Sequence, residues 1–453
     1  MSSLSFWGVS RLALAGCIAI GATSGFAQAQ RSFTTNDKAT KAAKETVLYS
    51  FSGGADGANP NAGVIIGSDG ALYGTTVYGG TFGSGGAGVV YKLTLQGHKW
   101  TRTLLHVFSS APDGVNPFAG VIFGSDGALY GTTVFGGNPG NGTVYKLTPS
   151  AMGGTLWSET VLYSFTGGAD GANPSNGSLI LDSSGALYGT TINGGSSGNG
   201  TVYKLAPPAT GRTLWNKTVL YSFTAGADGR YGSSSLIFDS SGALYGTAAG
   251  GGNGSGTVYK LTPPASGTVW SLTVLYAFAA VTNNNGGPDG AFPSAGPLIL
   301  DSNGALYGTT RAGGPCQGCG LGFGTVYKVT PPAVGAPTGT PWTEAVIYNF
   351  AGASDGYGPN AGVLFDSSGA LYGTTTNGGA GWGTVFKLTP PVGGMPPGTP
   401  WTKTILYNFL NTPDGNGPFS GLIFDRHGTI YGTTAGGGSG IYPYNGTVFQ
   451  VVQ

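Results

Sequence analysis

The chain has 453 residues, of which 88 are Gly and 27 are Pro, a proportion that excludes long helices. Only 8% of residues are charged, yet 40% are hydrophobic and 12% aromatic, too many for a disordered chain. With 19 Lys and Arg against 18 Asp and Glu, the net charge of +1 is too small to neutralise many phosphates, so nucleic acid is not an expected partner.

In chain order, an export signal comes first. Met1 to Arg11 is a short n-region, Leu12 to Ile20 is apolar, and Ala27-Gln28-Ala29 has the small-x-small form of a cleavage site. Residues 1–29 are therefore expected to be removed, and the apolar run is too short to span a membrane. Leu14-Ala15-Gly16-Cys17 offers a competing reading, a lipobox with Cys17 lipidated. The apolar stretch before Cys17 is short and the segment after it stays apolar, so secretion is favoured over lipid anchoring or periplasmic retention. Residues 30–44 read as a polar linker.

From residue 45 to 453 the chain is one unit written seven times. Gly-Ala-Leu-Tyr-Gly-Thr-Thr recurs with small variations, its tyrosines being Tyr73, Tyr130, Tyr188, Tyr245, Tyr307, Tyr372 and Tyr431. Each unit holds four short apolar segments bounded by turn residues; in the third unit they are Gly177–Leu181, Ala186–Thr191, Gly200–Leu205 and Lys217–Phe223. Such units predict an all-β, seven-bladed β-propeller of four-stranded antiparallel blades. A fourth-strand pattern stands alone at Glu45–Phe51, and the last unit stops after its third strand, Gly446–Val452. The N-terminal strand is thus expected to complete the last blade and close the ring, which removes open sheet edges.

The string Gly-x-Leu-Tyr-Gly-Thr-Thr, then a Gly-Gly loop, then Gly-Thr-Val-Tyr/Phe-Lys-Leu, resembles the GloVer-type tandem-repeat family of bacterial secreted proteins. The resemblance covers nearly all of residues 45–453 and brings no established activity with it. The C-terminal sorting tail common in that family has no counterpart before Gln453, which favours release.

Residues that recur in every unit are read as scaffold. Asp56, Asp113, Asp170, Asp228, Asp289, Asp355 and Asp414 sit in x-Asp-Gly turns entering each unit. Asp69, Asp126, Asp182, Asp239, Asp301, Asp366 and Asp425 sit in the first hairpin, and Glu45, Glu159 and Glu344 enter fourth strands. No carboxylate stands alone as a general acid would, so paired-carboxylate hydrolysis has no signature here. The ring of entry-turn aspartates could bind Ca²⁺ or sugar hydroxyls; turn chemistry accounts for the same residues and is preferred, and no other cofactor is expected. Trp100, Trp157, Trp215, Trp270, Trp342 and Trp401 are periodic packing anchors. The lysines from Lys92 to Lys387 after the third-strand aromatic read as a solvated strand face. His98, His106 and His427 fall in different environments and suggest neither a metal cluster nor a triad. Cys316 and Cys319, the two cysteines left after signal removal, read as a short disulfide bracing a Gly-rich loop.

Departures from the repeat are the better guide to a ligand. Arg230 and Tyr231, Asn284 in an extended loop, Arg311, and Trp382 fall in units 4, 5 and 6. All are expected on one face, where the entry turns and the Gly-Gly loops meet. The expectation is a secreted, monomeric, non-catalytic protein binding a carbohydrate or protein surface. The alternative is an extracellular lyase or hydrolase acting on carbohydrate from a loop site.

Overall fold

The computed structural model describes residues 43–453 apart from 81–85, 151–152, 175–176, 233, 282–286, 316–319, 394–398 and 440–444. The export signal, Cys17, Asn284 and the Cys316/Cys319 pair lie outside the described residues. Among the described residues the repeats form seven antiparallel blades of a propeller, each built on four strands, with a short fifth strand added in blades 4 and 5. In blade 3 the strands are Ile180–Leu181, Leu187–Thr191, Thr201–Ala206 and Asn216–Ser222. Blade 7 consists of Ile423–Phe424, Ile430–Thr434 and Thr447–Val452, and its outer strand is Lys44–Ser50 from the start of the chain. That strand pairs antiparallel with Thr447–Val452, so the ring closes through the N-terminal strand as expected. Among the described residues no helix is long and apolar enough to cross a membrane.

Each fourth strand carries a register break at the same place, between the Val and the aromatic of the facing Gly-Thr-Val-Tyr. In blade 3 the residue passed over is Leu220, which is buried. A bulge of this kind adds local twist and shifts the side-chain alternation. It sends the Leu into the core and lets the next residue, Tyr221, reach the Asp228 turn.

One blade cannot bury both sheet faces, and the core lies in the seams between blades. There are seven buried clusters, each drawn from two neighbouring blades. At the seam of blades 2 and 3, for example, Tyr130 and Val144 meet Phe165, Leu187 and Tyr203. The periodic Trp residues pack on these clusters, and in blade 7 their position is held by Ala43.

The glycine of Leu-Tyr-Gly-Thr-Thr has a steric cause. A Cβ on Gly131 would lie 2.4 Å from Tyr145 Oη, because the third-strand ring lies across the glycine. Tyr91, Tyr145, Tyr203, Tyr259 and Tyr327 are fully buried this way, and their hydroxyls have no hydrogen-bond partner. In blades 6 and 7 the same site holds Phe386 and Phe449. An unsatisfied buried hydroxyl costs about 1–3 kcal/mol. Replacing all five tyrosines by Phe is therefore expected to raise stability by about 1 kcal/mol each, measured by chemical denaturation. A lower denaturation midpoint would show that the hydroxyls are satisfied.

The hairpin aspartates and third-strand lysines correct one expectation. The lysines are not simply a solvated face: Lys92 pairs with Asp69 at 2.6 Å and Lys146 with Asp126 at 2.7 Å, and four further blades repeat the pair. Tyr73 and Tyr130 also donate their hydroxyls to these aspartates. At Asp239 and Asp366 partial burial is outweighed by hydrogen bonds from a Ser hydroxyl, turn amides and the Tyr hydroxyl, which hold the carboxyls at about 2.

A second ring runs through the fourth-strand residue that pairs with the apolar Leu or Val after the third-strand Lys or Gln. In blade order from 7 it reads Glu45, Arg102, Glu159, Lys217, Leu272, Glu344 and Lys403. The signs alternate, and a ring of seven cannot alternate throughout, so one uncharged member, Leu272, breaks the series. Two of the cations reach into the preceding entry turn, Lys403 Nζ lying 2.9 Å from Asp355 Oδ1 and Lys217 donating to the Asp170 carbonyl, whereas Arg102 Nε donates to Tyr49 Oη of the closing strand at 3.0 Å. The three glutamates are half-buried with Oε1 unpartnered. Burial and then the neighbouring Asp414, Asp113 or Asp289 push their carboxyls up, to about 7 for Glu45 and Glu159 and about 8 for Glu344.

Candidate functional site

The entry turns and the Gly-Gly loops share one face in all seven blades. Each entry turn bridges to the segment leaving the second strand, as Ala58 does to Tyr78 and Arg230 to Gly250. A hydrogen bond across each seam fixes this face. The backbone N–H two residues after the Asp-Gly donates to the residue before the third-strand glycine in the neighbouring blade. The pairs are Asn59 to Asn445, Asn116 to Ala87, Asn173 to Asn141, Tyr231 to Asn199, Phe292 to Ser255, Gly358 to Phe323 and Gly417 to Trp382, at 2.8–3.0 Å.

The donor in that bond always has positive φ. Asn59, Asn116 and Asn173 adopt it at 57°, 59° and 55°, and Gly358 and Gly417 at 67° and 57°. Asn and Gly are the residues that tolerate this conformation. The Asn side chains also add a seam bond, Nδ2 of Asn116 donating to the Val77 carbonyl at 2.8 Å. Blades 4 and 5 instead hold Tyr231 at 59° and Phe292 at 56°. Bulky aromatics in this region are outliers, and such strain clusters at functional sites.

These two rings meet the arginines. A pocket of about 380 Å³ is lined by Arg230, Tyr231, Phe292, Ser294, Arg311 and Asn360, among others. Ile192 and Ala249, whose carbonyls correspond to the one Asn116 bonds, also line it. Arg230 lies over the Tyr231 ring at 5.0 Å and Arg311 over the Phe292 ring at 5.8 Å. Among the described residues neither guanidinium has a carboxylate within salt-bridge distance. Both sit on regular strands: Arg230–Gly232 adds a fifth strand to blade 4, and Arg311 lies on Leu306–Ala312, the seven-residue second strand of blade 5. The pocket shares Ala295, Arg311 and Asn360 with the channel mouth, a cavity of about 300 Å³ lined from all seven blades.

Of the residues singled out in the sequence, Arg230, Tyr231 and Arg311 come together. Trp382 does not line this pocket; it lies at the blade 6–7 seam with its ring 44% exposed and its carbonyl in the regular seam bond. Phe292 and Asn360 escaped notice because Ala-Phe-Pro and Gly-Pro-Asn look ordinary in an aromatic, Gly-rich chain. Aligning the seam donors blade by blade is the signal that finds Phe292.

The entry-turn aspartates are engaged within their own turns. Asp414 accepts from Tyr407 Oη at 2.6 Å and Asp289 from Tyr276 Oη at 2.6 Å, and both take turn amides. In blade 1 His106 holds the tyrosine's place, with Nε2 3.4 Å from Asp113. Among the described residues no group of three or more His, Cys, Asp or Glu is arranged to hold a metal ion.

Restoring the repeat tests the strained pair. Tyr231→Asn and Phe292→Asn are each expected to raise stability by about 1–2 kcal/mol, relieving the left-handed strain and regaining a seam bond. Thermal denaturation checks this, and a destabilised variant would show that the rings pack rather than strain.

A model of the Gloeobacter/Verrucomicrobia repeat matches three overlapping stretches, residues 32–151, 81–314 and 265–453. No curated protein matches the chain. A fungal alcohol oxidase of the AA5 family, in complex with copper, shares 14% identity with a TM-score of 0.53, over 90% of this chain and 76% of that one. A protein of Thermus thermophilus described as an oxidoreductase (glucose dehydrogenase) shares 13% with a TM-score of 0.43, over 90% and 100% of the two chains. The extracellular domain of a one-component system from B. thetaiotaomicron shares 10% with a TM-score of 0.49, over 89% of this chain and 40% of its own. At 14% identity the likeness to the alcohol oxidase speaks to fold alone.

Proposed function

The chain belongs to the Gloeobacter/Verrucomicrobia repeat family, and from that premise we propose that it is an exported, non-catalytic binding protein that holds its ligand on the loop face at blades 4 and 5. The observation that carries this reading is the concentration of strain and unpaired charge at one place in an otherwise regular ring. Elsewhere on the same face, in blades 1, 2, 6 and 7, Tyr78, Phe135, Tyr357, Trp382 and Phe419 are each more than a third accessible. Exposed aromatics beside arginine are the composition of a recognition surface. Among the described residues the pocket lining is Arg, Tyr, Phe, Asn, Ser and small or aliphatic residues, with no carboxylate.

A glycan-array screen of the mature protein tests the reading, with retention of one ligand class as the expected result. Turnover of any polysaccharide would overturn it in favour of an enzyme. Trp382→Ala is expected to leave short ligands bound within about twofold and to weaken longer ones that reach blades 6 and 7 by about tenfold, as loss of an aromatic contact does. Equal loss for short and long ligands would move the site to blade 6.

A further inference from the structure

The pocket at blades 4 and 5 has the chemistry of an anion site, and on the reading that it binds ligand we infer that its ligand is an acidic saccharide whose carboxylate is held between Arg230 and Arg311. The half-buried cations of the blades are engaged, in contrast to the exposed Arg230 and Arg311. Six lysines pair with hairpin aspartates, Lys403 pairs with Asp355, Lys217 caps the Asp170 carbonyl, and Arg102 donates through Nε to Tyr49 while its Nη1 has no partner. Among the described residues Arg230 and Arg311 have no ion pair; Arg230 lies over the Tyr231 ring and beside Gly250, Arg311 over the Phe292 ring, and two like charges lining one pocket favour an anion between them.

Stacking on Tyr231 and Phe292 fixes the plane of each guanidinium and leaves its N–H edge free. That is the presentation needed for bidentate contact with a planar carboxylate. The backbone beneath is not adaptable, because both arginines lie on paired strands. Asn360 adds a neutral donor and acceptor suited to hydroxyls, whereas the buried Ser294 already donates its hydroxyl to the Pro359 carbonyl. Arg311 and Asn360 also line the channel mouth, so a bound unit has a polar continuation rather than a closed end. An apolar ligand would leave both guanidinium groups desolvated and unpaired, which disfavours it.

The probe is an oligogalacturonate, titrated by calorimetry into the mature protein. The controls are its fully methyl-esterified form, a sulfated galactan and poly-glutamate. The expected result is binding of the oligogalacturonate and not of the ester. Arg230→Ala and Arg311→Ala should each weaken it about ten- to a hundredfold with the thermal midpoint unchanged, since both side chains are exposed. Arg→Lys should recover only part of the affinity, because the fork geometry is lost. Preference for the sulfated galactan would replace the carboxylate by a sulfate and overturn that element. Equal binding of poly-glutamate would overturn the saccharide. Binding of the ester unaffected by either arginine change, or no binding of any acidic probe, would overturn the inference while a positive array result left the binding reading standing. Release of an unsaturated uronate, seen by its ultraviolet absorbance, would overturn the non-catalytic reading and keep the ligand class.

Discussion

Phe51→Ala is expected to lower stability by about 3–5 kcal/mol, the usual loss for a fully buried Phe, and to release the closing strand before the rest of the ring unfolds. Phe51 is 0% exposed and its amide donates to the Gly446 carbonyl at 3.0 Å. Its ring stands edge-on to Tyr49 in the closing strand and to Tyr91 in blade 1, both at 5.1 Å. Every blade repeats this ladder; Phe223 does the same with Tyr221 and Tyr259 at 5.5 and 5.4 Å. The cavities in Phe51→Ala and Phe223→Ala should therefore cost alike. Their local consequences differ, because Asn216–Ser222 follows its own blade in the chain, whereas Lys44–Ser50 joins a blade whose other strands lie at the far end of the chain. Hydrogen exchange reads this directly. Amides of Lys44–Ser50 and Thr447–Val452 should lose protection in Phe51→Ala by sub-global opening, and the blade 3 amides should not in Phe223→Ala. Equal protection of the two seams would show that closure is no weaker than the other contacts.

The protein should be most stable in mild acid and should lose stability between pH 5 and pH 8. Glu45, Glu159 and Glu344 have folded pKa values of about 7, 7 and 8 against an ordinary glutamate value of 4.5. The folded state therefore binds more protons than the unfolded chain across this range. Stability from these groups is fully present below pH 4.5 and lost as pH rises through their folded values. At full strength such a shift is worth about 3 kcal/mol per group, and partial exposure reduces it to about 1–2 kcal/mol. The lowered hairpin aspartates act in the opposite sense: their contribution is present above their unfolded value of 3.8 and lost as pH falls towards 2. Above the window Lys217, lowered by burial to about 8, reverses the slope, since it discharges more readily folded than unfolded. Thermal midpoints at pH 5 and pH 8 test the expectation. The triple variant Glu45→Gln, Glu159→Gln, Glu344→Gln should flatten the profile and raise the midpoint at pH 8. A profile that keeps its slope in the triple variant would place the titration elsewhere.

The ring was legible in the sequence because each element of the repeat answers a steric demand. Gly131 recurs as glycine because a ring lies over it, and Asp126 recurs because turn amides, a Tyr hydroxyl and a Lys all converge on it. The site was legible only as irregularity. Arg230, Tyr231 and Arg311 stood out as unusual residues, and the fold brought them to one pocket. Phe292 stayed hidden because what marks it is its backbone: a φ of 56° where other blades place Asn or Gly. Trp382 shows the converse, an unusual side chain on a regular carbonyl. The alternating charges at the fourth strands are not legible in the sequence, because Glu45, Arg102, Glu159, Lys217, Glu344 and Lys403 stand a whole repeat or more apart and become a series only around the closed ring.

The pairing of Lys44–Ser50 with Thr447–Val452 also sets a lifetime. Synthesis at roughly 5–20 residues per second separates the birth of the first strand from that of its partner by tens of seconds. Throughout that interval the first strand lacks the edge it will occupy, and the seam of blades 7 and 1 lacks Leu48 and Phe51 in place. A nascent chain of this design is an open arc with a sticky beginning, and its greatest exposure to misassociation falls in the moments before the last six-residue strand arrives.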